Sequence, residues 1–172
     1  MSERDHRGNQ AVYLTLRMRP PWVFIDEIRR FVESFCACAC PQENREAQLA
    51  LAVHELMQNA IASSHDEDVE LTLEVDPPAD RVAVTVSNHA TEQEYQVLRE
   101  RIERMNHEPD ALKHYLRAMT ETPVSSRGGL GLARVRFEAQ LEPSVVRSGG
   151  RMSVFASGPL RAPALPIPGG VR

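Results

Sequence analysis

The most informative stretch of this sequence is Arg127-Gly128-Gly129-Leu130-Gly131-Leu132-Ala133-Arg134. Three glycines within four positions let the backbone turn tightly and approach a ligand without an intervening Cβ atom. From Leu130 onward the pattern becomes helical, because Leu132, Val135 and Ala139 fall on one stripe. A helix N-terminus carries unpaired N–H groups and about half a positive charge, so the pattern indicates a phosphate-binding turn. A glycine turn that serves packing alone is the alternative.

The second informative segment is Leu51-Ala52-Val53-His54-Glu55-Leu56-Met57-Gln58-Asn59-Ala60. Its apolar residues recur at helical spacing and predict a buried stripe formed by Leu49, Val53, Leu56 and Ala60. Glu55 and Asn59 are four residues apart, so they lie one above the other on a face beside that stripe. Such a pair can hold Mg²⁺ through one ligand and a water through the other, with substrate phosphates completing the shell. A solvated helix edge is the alternative.

Together the two segments resemble the ATP-binding domain shared by gyrase, Hsp90, histidine kinases and MutL, the GHKL or Bergerat fold. Within that family the sequence is most similar to the anti-sigma-factor serine kinases and the partner-switch kinases of the SiaB type. The Glu-x-x-x-Asn-Ala element matches the N box, which implies Glu55 as general base and Asn59 as Mg²⁺ ligand. The second glycine box, which implies a cradle for the ATP phosphates, is matched by Gly128, Gly129, Leu130, Gly131 and Leu132.

The first glycine box departs from the family pattern at two positions. The family has an Asp, which accepts a hydrogen bond from the adenine amino group, and then a Gly, where this chain has Asn88 and Ala90. Asn88 keeps a carbonyl oxygen for the adenine, but loss of the charge weakens the bond by about 1 kcal/mol. Ala90 in a left-handed conformation would cost about 1–2 kcal/mol, so we expect a different local backbone. If Asn88 is a weakened adenine reader, Asn88→Asp should tighten ATP binding roughly five- to tenfold.

Length, composition and charge fit one domain that is not a general nucleic-acid binder. The chain has 172 residues, 42% of them hydrophobic, which is enough for a single core. Its net charge is −4, whereas nucleic-acid binders usually carry a basic face. No apolar run approaches the roughly 20 residues that span a bilayer. The polar N-terminus is unlike a secretory signal, so we predict a cytoplasmic protein without a membrane segment.

The three cysteines lie in Cys36-Ala37-Cys38-Ala39-Cys40, at the end of a helical pattern. On a helix Cys36 and Cys40 share a face and Cys38 points away, a poor geometry for three ligands to one metal. An odd count in a cytoplasmic protein does not suggest a disulfide framework. We therefore expect free thiols, with a metal or redox site as the alternative.

The remaining patterns predict an α+β fold, a two-layer sandwich with a mostly antiparallel mixed sheet and helices on one face. An opening edge strand is predicted over 11–18, a first helix after Pro20 and Pro21, and a second helix over 42–62. Two hairpins follow from alternating segments, one over 69–75 and 81–87 and one that turns at Gly149-Gly150. The domain boundaries are a flexible N-terminus (1–10), the ATP-binding domain (11–157) and a disordered Pro-rich tail (158–172) that is either a linker or a recognition segment.

The segment 88–128 corresponds to the family's lid over ATP, and its pattern is largely helical. One apolar stripe comprises Tyr95, Leu98, Ile102 and Met105, and a shorter one comprises Leu112, Leu116 and Met119. Either these stripes pack back onto the domain, or one of them stays partly exposed as a docking or homodimer surface. Arg127, at the end of the segment, either meets a terminal phosphate or is a solvated arginine.

Three functions are compatible with this sequence. The resemblance implies an ATP- and Mg²⁺-dependent protein serine/threonine kinase of the partner-switch type, which acts on a small antagonist protein. The second hypothesis is a regulator on the same fold with impaired nucleotide binding, which only sequesters a sigma-factor-like or antagonist partner. The third, a catalytic fragment of a sensor histidine kinase, is disfavoured because nothing before residue 42 resembles a dimerising helical hairpin with a phosphoacceptor His.

Overall fold

The computed structural model describes residues 10–19, 22–40, 42, 44–65, 67–121 and 129–162. Their strands are β1 (Val12–Met18), β2 (Val69–Asp76), β3 (Arg81–His89), β4 (Glu142–Ser148) and β5 (Arg151–Pro159). Their helices are α1 (Ile25–Ala39), α2 (Arg45–Ala62), α3 (Glu92–His107), α4 (Ala111–Glu121) and α5 (Gly129–Phe137), with a short 3₁₀ helix at Trp22–Phe24. The predictions for residues 1–9, Pro20, Pro21, Arg127, Gly128 and 163–172 lie outside the described residues.

The strands form one sheet in the order β1-β2-β3-β5-β4. All four pairings are antiparallel, so the sheet is not mixed. Alternate residues of β2 and β3 are buried, because one face of the sheet packs against helices and the other is polar. The α+β two-layer prediction is confirmed. The turn at Gly149-Gly150 has φ values of 58° and 81°, which glycine adopts without steric cost.

Helix α2 lies at the centre of the helical layer. It packs against α1, α5, β2 and β3. Its predicted stripe is buried, as the periodicity required, at Leu49, Val53, Leu56 and Ala60. Because both faces of α2 are covered, the polar side chains that flank the stripe are held at fixed places between α2 and its neighbours. This helix is the scaffold of the candidate site.

The folded domain extends beyond the predicted boundary at residue 157. Strand β5 continues to Pro159, and the Leu160 side chain is 1% exposed. The buried Arg45 guanidinium donates hydrogen bonds to the carbonyls of Ala139, Pro159 and Leu160 at 2.7, 2.7 and 3.0 Å. The assignment of 158–162 to a disordered tail is therefore wrong. The backbone carbonyls of Pro159 and Leu160 accept hydrogen bonds from Arg45 at the start of α2.

The lid helices pack on the domain, but only partly through the predicted residues. In α3, Ile102 and Met105 are buried as expected. The α3 C-terminus is capped by the buried Arg136 of α5, which donates to the Met105 and Glu108 carbonyls at 2.6 and 2.7 Å. Arg136 does not belong to the stripe of Leu132, Val135 and Ala139 that the sequence predicts for this helix, so its capping role was not predicted.

Helix α4 packs through a different residue from those of its predicted stripe. Tyr115 stacks on Phe137 of α5 with the ring centroids 5.1 Å apart. Leu116 and Met119 are each 52% exposed, and only Leu112 of the predicted stripe is partly buried. Two apolar side chains of α4, Leu116 and Met119, are therefore left uncovered by the described residues.

The cysteines lie as the helical spacing predicted. Cys36 and Cys40 are buried, Cys38 is exposed, and all three are free. The two buried thiols share a hydrogen bond, which together with burial raises the pKa of Cys36 far above its ordinary value. These contacts place Cys36 and Cys40 in the packing of α1 rather than at a reactive surface.

Candidate functional site

The Glu55 carboxylate lies between α2 and the beginning of α5. Glu55 is 9% exposed, and Gly131 faces it from the first turn of α5. A Cβ atom added to Gly131 would lie 2.6 Å from Glu55 Oε2, closer than any real side-chain contact. The glycine is therefore required because the carboxylate closely approaches the helix. The structure thus brings together the predicted base and the predicted glycine box.

The same carboxylate forms an ion pair with Arg134, one turn further along α5. Arg134 Nη1 lies 2.5 Å from Glu55 Oε1, and Arg134 Nε lies 3.0 Å from Glu138 Oε1. Burial acts to lower the pKa of Arg134, but the hydrogen bond to Glu138 and the charge of Glu55 outweigh it and raise that pKa overall. The guanidinium is therefore a permanent cation between two carboxylates.

A cavity of about 330 Å³ opens between α2, β3, β5 and α3, and Asn59, one helical turn along α2 from Glu55, lines it. This volume is at the lower end of the range for small-molecule sites, roughly 300–1,000 Å³. Its lining residues are Asn59, Ala60, Ala62, Ser63, Asn88, Gln93, Glu94, Val97, Leu98, Arg101, Met152 and Val154. Two predicted site residues, Asn59 and Asn88, thus line one cavity although they are far apart in the sequence.

The side-chain nitrogen of Asn88 forms hydrogen bonds within the fold. Its Nδ2 atom donates to the His89 carbonyl at 2.8 Å, the Ser63 hydroxyl at 3.2 Å and the Ser63 carbonyl at 3.3 Å. Asn88 is only 1% exposed, yet Oδ1 has no hydrogen-bond partner among the described residues. A buried acceptor is normally paired, so Oδ1 is suited to accept from a ligand amino group.

Asn59, one helical turn before Ser63, also has a side-chain atom without a hydrogen-bond partner among the described residues. Its Nδ2 atom is buried and has no hydrogen-bond partner within the described ranges. The Ser63 hydroxyl donates to the Asn59 carbonyl at 3.0 Å, which fixes the backbone but leaves the amide free. The side chain can therefore reorient to present its oxygen to a cation that a nucleotide carries into the cavity.

The Ala90 backbone does not adopt the left-handed conformation. Among described non-glycine residues only Asn44, His65, Asp80 and Gln140 have positive φ, so Ala90 carries no left-handed strain. Its N–H donates to the Gly150 carbonyl at 3.2 Å, which ties the end of β3 to the β4–β5 turn. The expected energetic cost of a left-handed alanine does not arise.

Helix α3 forms the outer wall of the cavity and is anchored at its first turn. Thr91 and Glu94 form a capping box, and His65 Nε2 lies 3.0 Å from Glu94 Oε1. Burial acts to raise the pKa of Glu94, but hydrogen bonds from Thr91 and His65 outweigh it and lower that pKa overall. Arg101 also lies on α3 and lines the cavity, and it makes no hydrogen bond or ion pair with any residue that the structure describes.

The predicted phosphate turn is described only from Gly129. Helix α5 begins there, with Gly129 and Leu130 half-buried and Gly131 and Leu132 buried. The first N–H groups of a helix have no partner within it and can bind a phosphate group. The space left by the missing Gly131 Cβ is taken by the Glu55 carboxylate.

Sequence reasoning missed three residues at this site. Ser63 orients Asn88, Arg101 lines the cavity, and Arg134 pairs with Glu55. The spacing of Arg134 and Glu138, four apart in one helix, indicates an ion pair, but no local pattern shows that Glu55 is a third member. The described ranges contain no group of three His, Cys, Asp or Glu side chains placed to hold a metal, and no helix in them is long and apolar enough to cross a membrane.

Comparison with known proteins agrees with this geometry. The family model of the histidine kinase-like ATPase domain matches residues 24–136. The fold is similar to a chain in the crystal structure of the SiaB–SiaC complex from Pseudomonas aeruginosa, with a TM-score of 0.64 and 13% sequence identity. That alignment covers 90% of this chain and 93% of the other. No curated protein matches the chain.

Proposed function

The chain belongs to the histidine kinase-like ATPase domain family, and we propose that it is a cytoplasmic protein serine/threonine kinase of the partner-switch type. It binds ATP with Mg²⁺ in the cleft between α2, β3, α3 and α5 and phosphorylates a small antagonist protein. The observation that carries this proposal is that α2 presents, one helical turn apart, the Glu55 carboxylate against Gly131 and the Asn59 side chain, which lines a cavity together with the unpartnered Asn88.

Each end of ATP meets groups of suitable chemistry. The adenine amino group donates to Asn88 Oδ1, and the apolar wall formed by Leu98, Met152 and Val154 contacts the base. The phosphates bind the first turn of α5 at Gly129. Asn59 would hold Mg²⁺, which when bound would supply neutralising charge to the phosphates.

The transfer step requires one base and one hydroxyl. The Glu55 carboxylate accepts the proton of the substrate Ser or Thr as its oxygen bonds to the γ-phosphorus. The bond from that phosphorus to the bridging oxygen breaks, and ADP leaves. Such a reaction depends mainly on positioning and charge neutralisation, which a rigid cleft supplies.

The partner surface that we propose is the outer side of the lid helices. Leu116 and Met119 on α4 are each 52% exposed, although they are large apolar residues. The chain of similar fold comes from a complex of two proteins, SiaB and SiaC. A partner bound to the lid would bring its hydroxyl to the mouth of the cleft next to Glu55.

A regulator that only binds its partner is the second candidate. One observation favours it: the neutral Asn88 in place of the family's Asp. This exchange weakens ATP binding without altering the lid surface. The two candidates therefore differ in phosphoryl transfer and not in partner binding.

The decisive assay follows phosphate from radiolabelled ATP to a small single-domain protein encoded beside this chain. The kinase proposal predicts stoichiometric labelling on Ser or Thr that requires Mg²⁺. Tight binding of the partner without any labelling would instead establish the second candidate.

A further inference from the structure

A chain of four polar side chains runs from the lid to Glu55. Burial and the neighbouring Glu138 carboxylate raise the pKa of Tyr115 on α4. Glu138 Oε1 lies 3.0 Å from Arg134 Nε, and Arg134 Nη1 lies 2.5 Å from Glu55 Oε1. Three helices, α4, α5 and α2, thus each contribute to one polar connection.

We infer that Arg134 is a positioning residue for phosphoryl transfer, and this inference rests on the proposed function. Arg134 holds the Glu55 carboxylate through Oε1 and leaves Oε2 turned towards Gly131. No described residue donates a hydrogen bond to Oε2, so that oxygen is free to accept the substrate proton.

The chemistry of the arginine suits this role. A guanidinium presents several N–H groups in a rigid fork, so it can fix one carboxylate while bonded to a second. Glu138 supplies that second contact and prevents Arg134 from rotating away. Without Arg134, the Glu55 side chain would be buried without a cation and would turn towards water.

The ion pair between Glu55 and Arg134 does more than hold α2 against α5. Those helices already pack through Leu56, Leu132 and Val135, all of which are buried. Arg134 is 34% exposed at its side chain, so its removal leaves little unfilled core. A purely structural role predicts loss of stability on substitution, whereas a positioning role predicts loss of turnover with unchanged ATP binding.

The test compares Arg134→Met, which removes the charge, with Arg134→Lys, which retains it. Arg30→Met is the matched control, because Arg30 forms an exposed ion pair with Glu27 within α1, away from the cleft. Mg²⁺·ATP is the probe, and its conversion to ADP with water as acceptor is measured beside the ATP dissociation constant. A parallel spectrum of ¹⁵N-arginine-labelled protein follows the Arg134 side-chain signals in wild type and in Glu55→Gln.

We expect Arg134→Met to bind ATP within about threefold of wild type but to lose roughly a hundredfold in turnover, the size of effect that displacement of a reacting group by about 1 Å produces. Arg134→Lys should recover most of that loss, and Arg30→Met should match wild type. The Arg134 side-chain signals should shift in Glu55→Gln. If Arg134→Met turns over ATP at the wild-type rate, the positioning role of Arg134 is wrong and the proposed function stands. If the wild type binds no ATP, both the proposed function and this inference are wrong.

Discussion

At the α5 end of the cleft the Glu55 carboxylate is paired with Arg134, whereas at the α3 end the buried Asn88 Oδ1 has no partner among the described residues. Both groups are nearly inaccessible to solvent, so burial does not separate them. What separates them is whether the fold itself satisfies their hydrogen bonds. Polar satisfaction is close to complete in folded proteins, so an unpartnered buried acceptor that lines a cavity is a candidate ligand contact.

This difference assigns separate roles to the two ends. A carboxylate held by a cation is already oriented before substrate arrives, as a catalytic group must be. An amide with an unpartnered oxygen gains its missing hydrogen bond only when a ligand binds. Substitutions at the α5 end should therefore alter turnover, and substitutions at the α3 end should alter affinity.

The largest effect is expected for Glu55→Gln. A general base contributes about 10²–10⁴-fold, so this variant should lose nearly all transfer to a partner hydroxyl. ATP affinity, measured by calorimetry, should stay within a few-fold of wild type, because Glu55 does not line the adenine cavity. Gln58→Ala on the same helix is the control and should retain transfer. Full transfer by Glu55→Gln would show that the α5 end has no catalytic base.

Asn59→Ala should have the next largest effect, on nucleotide affinity. If Asn59 holds Mg²⁺, its removal should abolish the Mg²⁺-dependent part of ATP binding. The melting temperature should stay within a few degrees, because the half-buried Asn59 lies beside the core stripe of α2. Titrations with and without Mg²⁺ measure this difference. Equal ATP affinity in wild type and variant would remove the magnesium assignment.

Gly131→Ala should lower stability and distort the α5 end. The added Cβ would lie 2.6 Å from Glu55 Oε2, and overpacking of this kind typically costs about 1–3 kcal/mol. Glycine to alanine within an exposed helix normally stabilises instead, by about 1 kcal/mol. Repeating the substitution in a Glu55→Ala background removes the clash and should reverse the sign. Thermal unfolding of the four proteins measures the coupling, and additive effects would contradict the close approach.

The smallest effect concerns Asn88→Asp, for which the structure changes the expectation. The sequence alone suggested that the carboxylate would tighten ATP binding. Asn88 Nδ2, however, donates to the His89 and Ser63 carbonyls, and a carboxylate oxygen there would face both of them without a proton. We therefore expect a lower melting temperature and no gain in ATP affinity. A several-fold tighter complex would show that the β3 end rearranges around the new charge.

The sequence predicted the parts of this molecule that depend on local periodicity. The α2 stripe, the two hairpins and the shared face of Cys36 and Cys40 all follow from spacing within one element. The meeting of Glu55 and Gly131 has a different origin, because no periodicity connects two segments so far apart in the chain. It followed from the family resemblance, which assigned both segments to one ATP site.

The features that the sequence did not predict are contacts between distant segments. Arg45 binds the carbonyls near residue 160, and Arg136 caps α3, although both arginines read as ordinary polar positions of their helices. Likewise, Arg134 reads as an exposed partner of Glu138, and only the packing of α5 against α2 makes it a partner of Glu55. A long flexible side chain finds its acceptors in the folded molecule, and no short-range pattern encodes that choice.

Calorimetric titration of the full chain with ATP and ADP, each with and without Mg²⁺, tests the central claim most directly. That claim is that the cleft between Glu55 and Asn88 is a nucleotide site. It predicts one molecule of ATP bound per chain, with affinity that falls when Mg²⁺ is withdrawn. Absence of measurable binding at millimolar ATP, by a protein with a cooperative thermal transition, would contradict it and leave the fold as a protein-docking module.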